Sequence, residues 1–229
     1  MKSIAIIPAR GGSKRIPRKN IKEFYGKPMI AYSIEAAKAS GCFERIIVST
    51  DDQEIADVAR QYGAEVPFLR PDNISDDHAT TMDVLQHAIS WCKNANWQFD
   101  NICCIYATAP FIQVEDLQKG RNYLTNKDVM YAFSATSFPF PIQRAFYLNQ
   151  QSQVEMFQPE HLNTRSQDLP EAFHDAGQFY WCKVEAIEKE MPFFSTHSRP
   201  VILPRKRVQD IDTPEDWELA ELLSAALRN

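Results

Sequence analysis

The 229-residue sequence has no C-x-x-C pair, no internal repeat, no apolar run long enough to span a bilayer, and neither glycine spacing of the standard phosphate-binding loops. Each absence removes a class of protein. Cys42, Cys92, Cys103, Cys104 and Cys182 are odd in number and carry no zinc spacing, which argues against a disulfide framework or a zinc site and leaves reduced thiols as the expectation. His87, His161, His174 and His197 share no metal-ligand spacing either. Gly11 and Gly12 match neither G-x-x-x-x-G-K-[ST] nor G-x-G-x-x-G, so a P-loop ATPase and a dinucleotide-binding dehydrogenase are disfavoured. A net charge of −5 argues against nucleic-acid binding over the whole surface. With no segment apolar enough for export or membrane insertion, a cytoplasmic location without a membrane partner is expected.

What is present is a local excess of positive charge. Arg10, Lys14, Arg15, Arg18, Lys19, Lys22 and Lys27 follow the apolar run Ile4 to Ile7, with Glu23 as the one acidic residue among them. A strand, a Gly-Gly turn and then cations suggest a polyphosphate cradle. Glycine lets backbone amides approach phosphate oxygens, and Lys and Arg neutralise charge that would repel an attacking oxygen. A solvated basic loop is the plainer reading, and the position directly after a strand favours the anion site. Lys14 and Lys19 are the best-placed cations, with Arg10 beside the strand end and the others further back.

Short apolar runs at Ile4–Ile7, Ile46–Val48, Val66–Leu69, Ile102–Tyr106 and Val129–Phe133 alternate with segments of helical period. This order predicts one α/β domain over residues 1–229, with a mostly parallel sheet flanked by helices. Pro28 opens a first helix running to Gly41, and Asp51 with Glu54 caps a second ending near Gly63. Further helices are expected at 80–93, at 114–125 and from Thr213 onward, with strands at Gly177–Cys182 and Pro200–Leu203. Residues 136–173 are interrupted by Pro139, Pro141, Pro159 and Pro170, and are expected to form an inserted subdomain or dimer arm. In open sheets of this kind ligands bind beyond the carboxyl ends of the strands, where the basic loop lies.

Other groups of residues point the same way. Asp210 and Asp212 flank Ile211, so in an extended segment both carboxylates face one side and can hold a hard divalent cation. The alternative is that Asp212 or Thr213 caps the last helix, with Pro214 in its first turn. Asp76-Asp77-His78-Ala79-Thr80-Thr81 could present hydroxyls to a ligand, although an N-cap comes first there. Arg70, before Pro71, is placed to meet a base or ribose. His174-Asp175-Ala176-Gly177-Gln178-Phe179-Tyr180-Trp181 mixes polar and aromatic groups in a way that suits a sugar, against the competing reading of an ordinary core strand.

In these motifs the chain resembles the CMP-sialate synthetases, cytidylyltransferases that activate nonulosonic acids. The resemblance is carried by Ile7 to Asn20, Ile46 to Asp51, Leu69-Arg70-Pro71, Thr108-Ala109-Pro110, Thr164 to Phe173 and Asp210-Ile211-Asp212. Lys14 to Lys19, Thr164 to Pro170 and Asp175 to Tyr180 look most like the branch acting on pseudaminic acid. The resemblance implies a Rossmann-like nucleotide-diphospho-sugar transferase fold and a homodimer whose inserted arm reaches the neighbouring site. It also implies Mg²⁺-dependent transfer of CMP from CTP to the keto-sugar acid, in service of surface-glycan or flagellin glycosylation. Carried onto matching positions, Arg10, Lys14 and Lys19 hold the triphosphate beside Gly11, Gly12, Ser13 and Thr80. Asn20 and Arg70 hold the cytidine, and Asp210 and Asp212 the metal. Arg165 faces the sugar carboxylate, and Tyr106, Asp175, Gln178 and Tyr180 line the sugar side. Lys14 and Arg10 serve catalysis by charge, and Asp212 assists removal of the hydroxyl proton. Tyr106 replaces a glutamine of the sialic acid enzymes and Asp175-Ala176-Gly177 replaces their Asn-Gly-Ala, departures on the side expected to face the sugar that count against N-acetylneuraminate itself. The rival substrates within the family are 3-deoxy-octulosonate, legionaminate and N-acetylneuraminate. A non-catalytic nucleotide-binding module is the alternative of another class.

Overall fold

The computed structural model describes residues 1–75 and 79–228. β1 (Ser3–Pro8) leads through the basic loop and a short hairpin, β2 (Glu23–Phe24) and β3 (Lys27–Pro28), into α1 (Met29–Ser40), β4 (Arg45–Ser49) and α2 (Gln53–Gln61). Then come α3 (Thr81–Asn94), β5 (Asn101–Ile105), α4 (Val114–Tyr123) and β6 (Tyr131–Ser137). An excursion carries the hairpin β7 (Phe146–Leu148) and β8 (Val154–Met156). The chain returns as β9 (Phe173–Lys183), α5 (Val184–Glu188), β10 (Ser198–Ile202) and α6 (Pro214–Arg228).

Six strands form the main sheet in the order β10-β6-β9-β5-β1-β4. All neighbours are parallel except β9, which runs against both β5 and β6. The reason is the excursion: it leaves from the carboxyl end of β6 and comes back at that same end, so the returning strand must run the other way. A register shift in β6 between Phe133 and Ala135 is stitched by Ser134, whose hydroxyl accepts from the amides of Gln178 and Phe179. Gly177 takes the left-handed conformation opposite it, at φ 62°.

Two-residue alternation divides the strand side chains between two apolar layers. Ala5, Ile7, Cys103, Ile105, Phe179 and Trp181 face one layer with residues of α1, α2 and α4, and Ile4, Ile6, Ile102, Cys104 and Cys182 face the other with α3 and α5. The five cysteines are buried and free, in agreement with the expectation of reduced thiols. Burial pushes Cys92 up to about 11 and raises Cys103, Cys104 and Cys182 as well, so thiolate chemistry is disfavoured.

Three local expectations are corrected. Val66–Leu69 makes only isolated bridges, at Glu65 to Ile47 and Leu69 to Thr50, because Pro67 and Pro71 supply no backbone donor. Asp52, not Asp51, caps α2, accepting from the Ile55 amide at 3.0 Å. The excursion between strands covers 138–172, since β6 continues through Ser137 and β9 begins at Phe173.

Gly120 lies within α4 where an added Cβ would stand 2.5 Å from Trp181 Cδ1, on a ring whose indole N–H already donates to the Leu117 carbonyl. An exposed helical glycine gains about 1 kcal/mol on replacement by alanine. Gly120→Ala should instead destabilise by about 1–3 kcal/mol through overpacking, as measured by equilibrium denaturation. Stabilisation would show that the Trp181 ring moves aside at little cost.

Candidate active site

After β1 the chain crosses to β4 on one side, and later returns to β5 on the other. The connections therefore diverge between β1 and β5, leaving a crevice beyond their carboxyl ends. A cavity of about 700 Å³ occupies it, lined by Pro8, Arg10, Ser13, Lys14, Arg15, Lys19, Asn20, Arg70, Ile74, Ala79, Thr80, Thr81, Val84, Tyr106, Ala107, Thr108, Asp210 and Asp212. Residues distant in sequence are thus gathered on one crevice: the loop after β1, the start of α3, the end of β5 and the Asp-x-Asp segment before α6.

The basic loop is held by carboxylates from two directions. Arg18, in the left-handed conformation at φ 58°, forms a forked pair with Asp52 at 2.5 and 3.0 Å and also meets Glu54. That pairing holds the Asp52 carboxyl below its ordinary range. From the other side Asp212 receives Arg15 at 2.8 Å and Lys19 at 3.1 Å, and Lys19 also donates to the Ile211 carbonyl. Burial alone would raise Asp212, but Lys19 and Arg15 outweigh it and hold the carboxyl low. A carboxylate so paired is a weak base, which weakens Asp212 as a proton acceptor. Asp210 is shifted the opposite way, raised by burial and then by the charge of Asp212. Ile211 between them is fully buried, so both carboxylates fall on the cavity side of the segment.

Other candidates have different surroundings. Gly11 does not line the cavity; its amide donates to Asp51 at 3.0 Å, and an added Cβ would stand 2.7 Å from Asp52 Oδ2. In this structure that amide is taken by Asp51, and Gly11 serves a loop that crosses the start of α2 too closely for a side chain. Gly12 has open space and likewise lies outside the lining. Asn20 is buried and donates to the Arg10 carbonyl, which braces the loop. Arg70 is 5% exposed, 3.8 Å from Asp51; burial lowers its basicity and Asp51 opposes that. Thr80 and Asp83 form a capping box on α3. Asp76, Asp77 and His78 lie outside the described residues.

A second cavity of about 200 Å³ adjoins the first, lined by Thr81, Met82, Leu85, Tyr106, Tyr131, Asp175, Tyr180, Cys182, Ile187 and Phe193. Thr81 and Tyr106 line both cavities and form their shared wall. Tyr106, Asp175 and Tyr180 are thus brought together, as the sequence groups them. Gln178 is not, for its amide donates to the Arg207 carbonyl at 2.6 Å in the core. Arg165 sits on the excursion, forked to Asp168 at 2.6 and 3.0 Å, and lines neither cavity of this chain. Asp51, Asp52, Met82 and Phe193 were not singled out for the site. Asp51 reads from the sequence as the cap of α2, Asp52 has no reading of its own there, and the two apolar residues carry no chemical signature.

The cytidylyltransferase family profile matches residues 4–224. The chain is 49% identical over 223 residues to the pseudaminic acid cytidylyltransferase of Campylobacter jejuni, covering 97% of this chain and 96% of that one. It is 33% identical over 229 residues to the CMP-N,N'-diacetyllegionaminic acid synthase of Legionella pneumophila, covering 97% and 96%. In fold it is similar to a CMP:2-keto-3-deoxy-manno-octonic acid synthetase solved in complex with CTP, at a TM-score of 0.71 and 18% identity, covering 99% of this chain and 100% of that one.

The two loop glycines provide a test. Gly11→Ala should displace Asp52 from Arg18 and destabilise the protein by about 1–3 kcal/mol, whereas Gly12→Ala should change stability by less than about 0.5 kcal/mol. Equal melting temperatures for the two variants would refute the crowding at Gly11.

Proposed function

The chain belongs to the cytidylyltransferase family, and from that premise we propose that it transfers CMP from CTP to the anomeric hydroxyl of pseudaminic acid, releasing pyrophosphate. The observation that carries this reading is the joining of two cavities of opposite character: one walled by Arg10, Lys14, Arg15, Lys19 and two carboxylates, the other largely apolar and aromatic. A triphosphate needs the first kind of wall. A sugar with apolar substituents suits the second, because rings and aliphatic groups cover its apolar face while a few polar groups orient it.

In this reading the sugar hydroxyl attacks the α-phosphorus in line, and pyrophosphate leaves toward the basic loop. Phosphoryl transfer of this type is mostly positioning and charge neutralisation. Arg10, Lys14 and Lys19 meet the growing negative charge of the leaving group, with Ser13 and Thr80 beside them, and Asn20 and Arg70 border the nucleoside. Asp210 and Asp212 fit a magnesium ion: both carboxylates face the cavity, Asp210 is raised by burial and then by its neighbour's charge, and Mg²⁺ is commonly held by one or two carboxylates with phosphate and water. When bound, the ion would neutralise phosphate charge. Until then Lys19 and Arg15 keep Asp212 in place.

The excursion supports a homodimer. Phe140, Phe146, Leu148, Val154, Phe157 and Leu162 are all exposed on it, a concentration of apolar surface that a monomer rarely leaves in water. Arg165 then reaches the sugar carboxylate of the partner protomer.

Pyrophosphate release with CTP and Mg²⁺, run in parallel on pseudaminic, legionaminic and N-acetylneuraminic acids, tests the reading. Release chiefly with pseudaminic acid is expected. A preference for another sugar would overturn the substrate, and no release with any would overturn the transferase. Lys14→Ala should lower kcat by about 100-fold while changing the sugar KM by less than about 3-fold, because its help grows as the leaving group gains charge. Comparable changes in both constants would contradict a leaving-group role.

A further inference from the structure

Beyond the carboxyl end of β4 the chain places Asp51 and Asp52 side by side, and neither lines the larger cavity. They hold residues that do. Asp52 pairs with Arg18, while Asp51 Oδ1 accepts from the Gly11 amide at 3.0 Å, so the two carboxylates fasten the basic loop on either side of Ser13, Lys14 and Arg15. The same Asp51 oxygen stands 3.8 Å from Arg70 Nη2. The backbone brings that guanidinium there: Leu69 bridges to Thr50, and the Arg70 amide donates to the Thr50 carbonyl at 2.7 Å, which lays residues 69–70 beside residues 50–51. Arg70 is almost wholly buried in a wall that also carries Arg10, whose charge works against it. Ser75 Oγ accepts from Arg70 Nε at 3.2 Å but brings no charge. Among the described residues the countercharge is Asp51. A buried cation deprived of its partner is strongly disfavoured and turns toward water. At 3.8 Å the pair lies beyond hydrogen-bond reach, so Asp51 gives Arg70 charge alone, whereas it gives Gly11 an acceptor.

We infer that Asp51 is a positioning residue that joins the two ends of the nucleotide site: one oxygen fixes both the start of the phosphate-binding loop and the guanidinium that borders the nucleoside. The inference rests on the CTP reading above and deepens it, because Asp51 acts through Gly11 and Arg70 and makes no contact of its own with the nucleotide. The distance between phosphate loop and nucleoside wall is then set by a single side chain. A ligand that has the phosphates without the nucleoside uses only one of the two ends.

Asp51→Asn separates the two roles, since it keeps an acceptor oxygen for the Gly11 amide and removes the charge beside Arg70. Calorimetry in magnesium buffer compares CTP with inorganic tripolyphosphate, and the quantity read is the ratio of their two dissociation constants. The lost negative charge acts on both ligands alike and so cancels in that ratio. Arg70→Gln should shift the ratio against CTP, and Asp51→Asn should shift it in the same direction by about 10-fold, as expected for two coupled neighbours. In the Arg70→Gln background, Asp51→Asn should change the ratio no further. That double variant leaves no buried cation without a partner, and it covers the case in which Asp51→Asn alone fails to fold. A ratio that falls with Arg70→Gln but not with a folded Asp51→Asn, or that falls again when the second change is added to the first, would overturn the inference. A ratio unmoved by Arg70→Gln would instead overturn the placement of the nucleoside on which it rests.

Discussion

Like charges packed into one loop repel, and the fold is arranged around that repulsion. Between Arg10 and Lys27 seven cations follow β1, and several are held by partners from separate parts of the chain. Arg18 is held by Asp52 and Glu54 at the start of α2, Arg15 and Lys19 by Asp212 before α6, Lys27 by Glu35 on α1, and Lys22 lies over the Trp217 ring. Exposed pairs of this kind contribute little stability one by one. Their joint effect is geometric: they aim a flexible, charged segment at one crevice. The Asp-x-Asp segment and the loop are in this sense one electrostatic unit, since the carboxylate proposed to face a cation is held by two cations of the loop.

Much of this organisation was legible in the sequence because it depends on local signals. The apolar run Ile4–Ile7 followed by glycine and cations marks both a central strand and its ligand-bearing end. The alternation Asp210-Ile211-Asp212 marks two carboxylates on one side of an extended segment, and Ile211 is indeed buried. The polar cluster ending in Thr80-Thr81 marks a helix start, and α3 begins there with a capping box of Thr80 and Asp83. Prolines at 139, 141, 159 and 170 mark the excursion.

What escaped was whatever local signals do not encode. The residues of β9 look alike whichever way the strand runs, and its direction follows only from where the excursion begins and ends. The Asp51 and Asp52 carboxylates differ by one position, yet one takes the Gly11 amide while the other both caps α2 and pairs with Arg18. Gly11 reads as a phosphate-cradling glycine until the approach of Asp52 is known. Gln178 sits among polar and aromatic residues that suit a sugar, and is drawn instead to the Arg207 carbonyl. Of the second cavity only the polar side, Tyr106, Asp175 and Tyr180, could be read; its apolar side could not. Met82, Tyr131, Ile187 and Phe193 come from four separate segments, and each is by itself an ordinary core residue.

The decisive step for this picture is the orientation of CTP in the larger cavity, which a crystal structure of the protein with CTP would give directly. The triphosphate is expected along the loop from Arg10 to Lys19, with the cytidine toward Asn20 and Arg70 and the α-phosphorus on the side of the second cavity. A nucleotide bound in the reverse sense, or with its phosphates away from that loop, would contradict both the leaving-group role of the cations and the placement of the sugar.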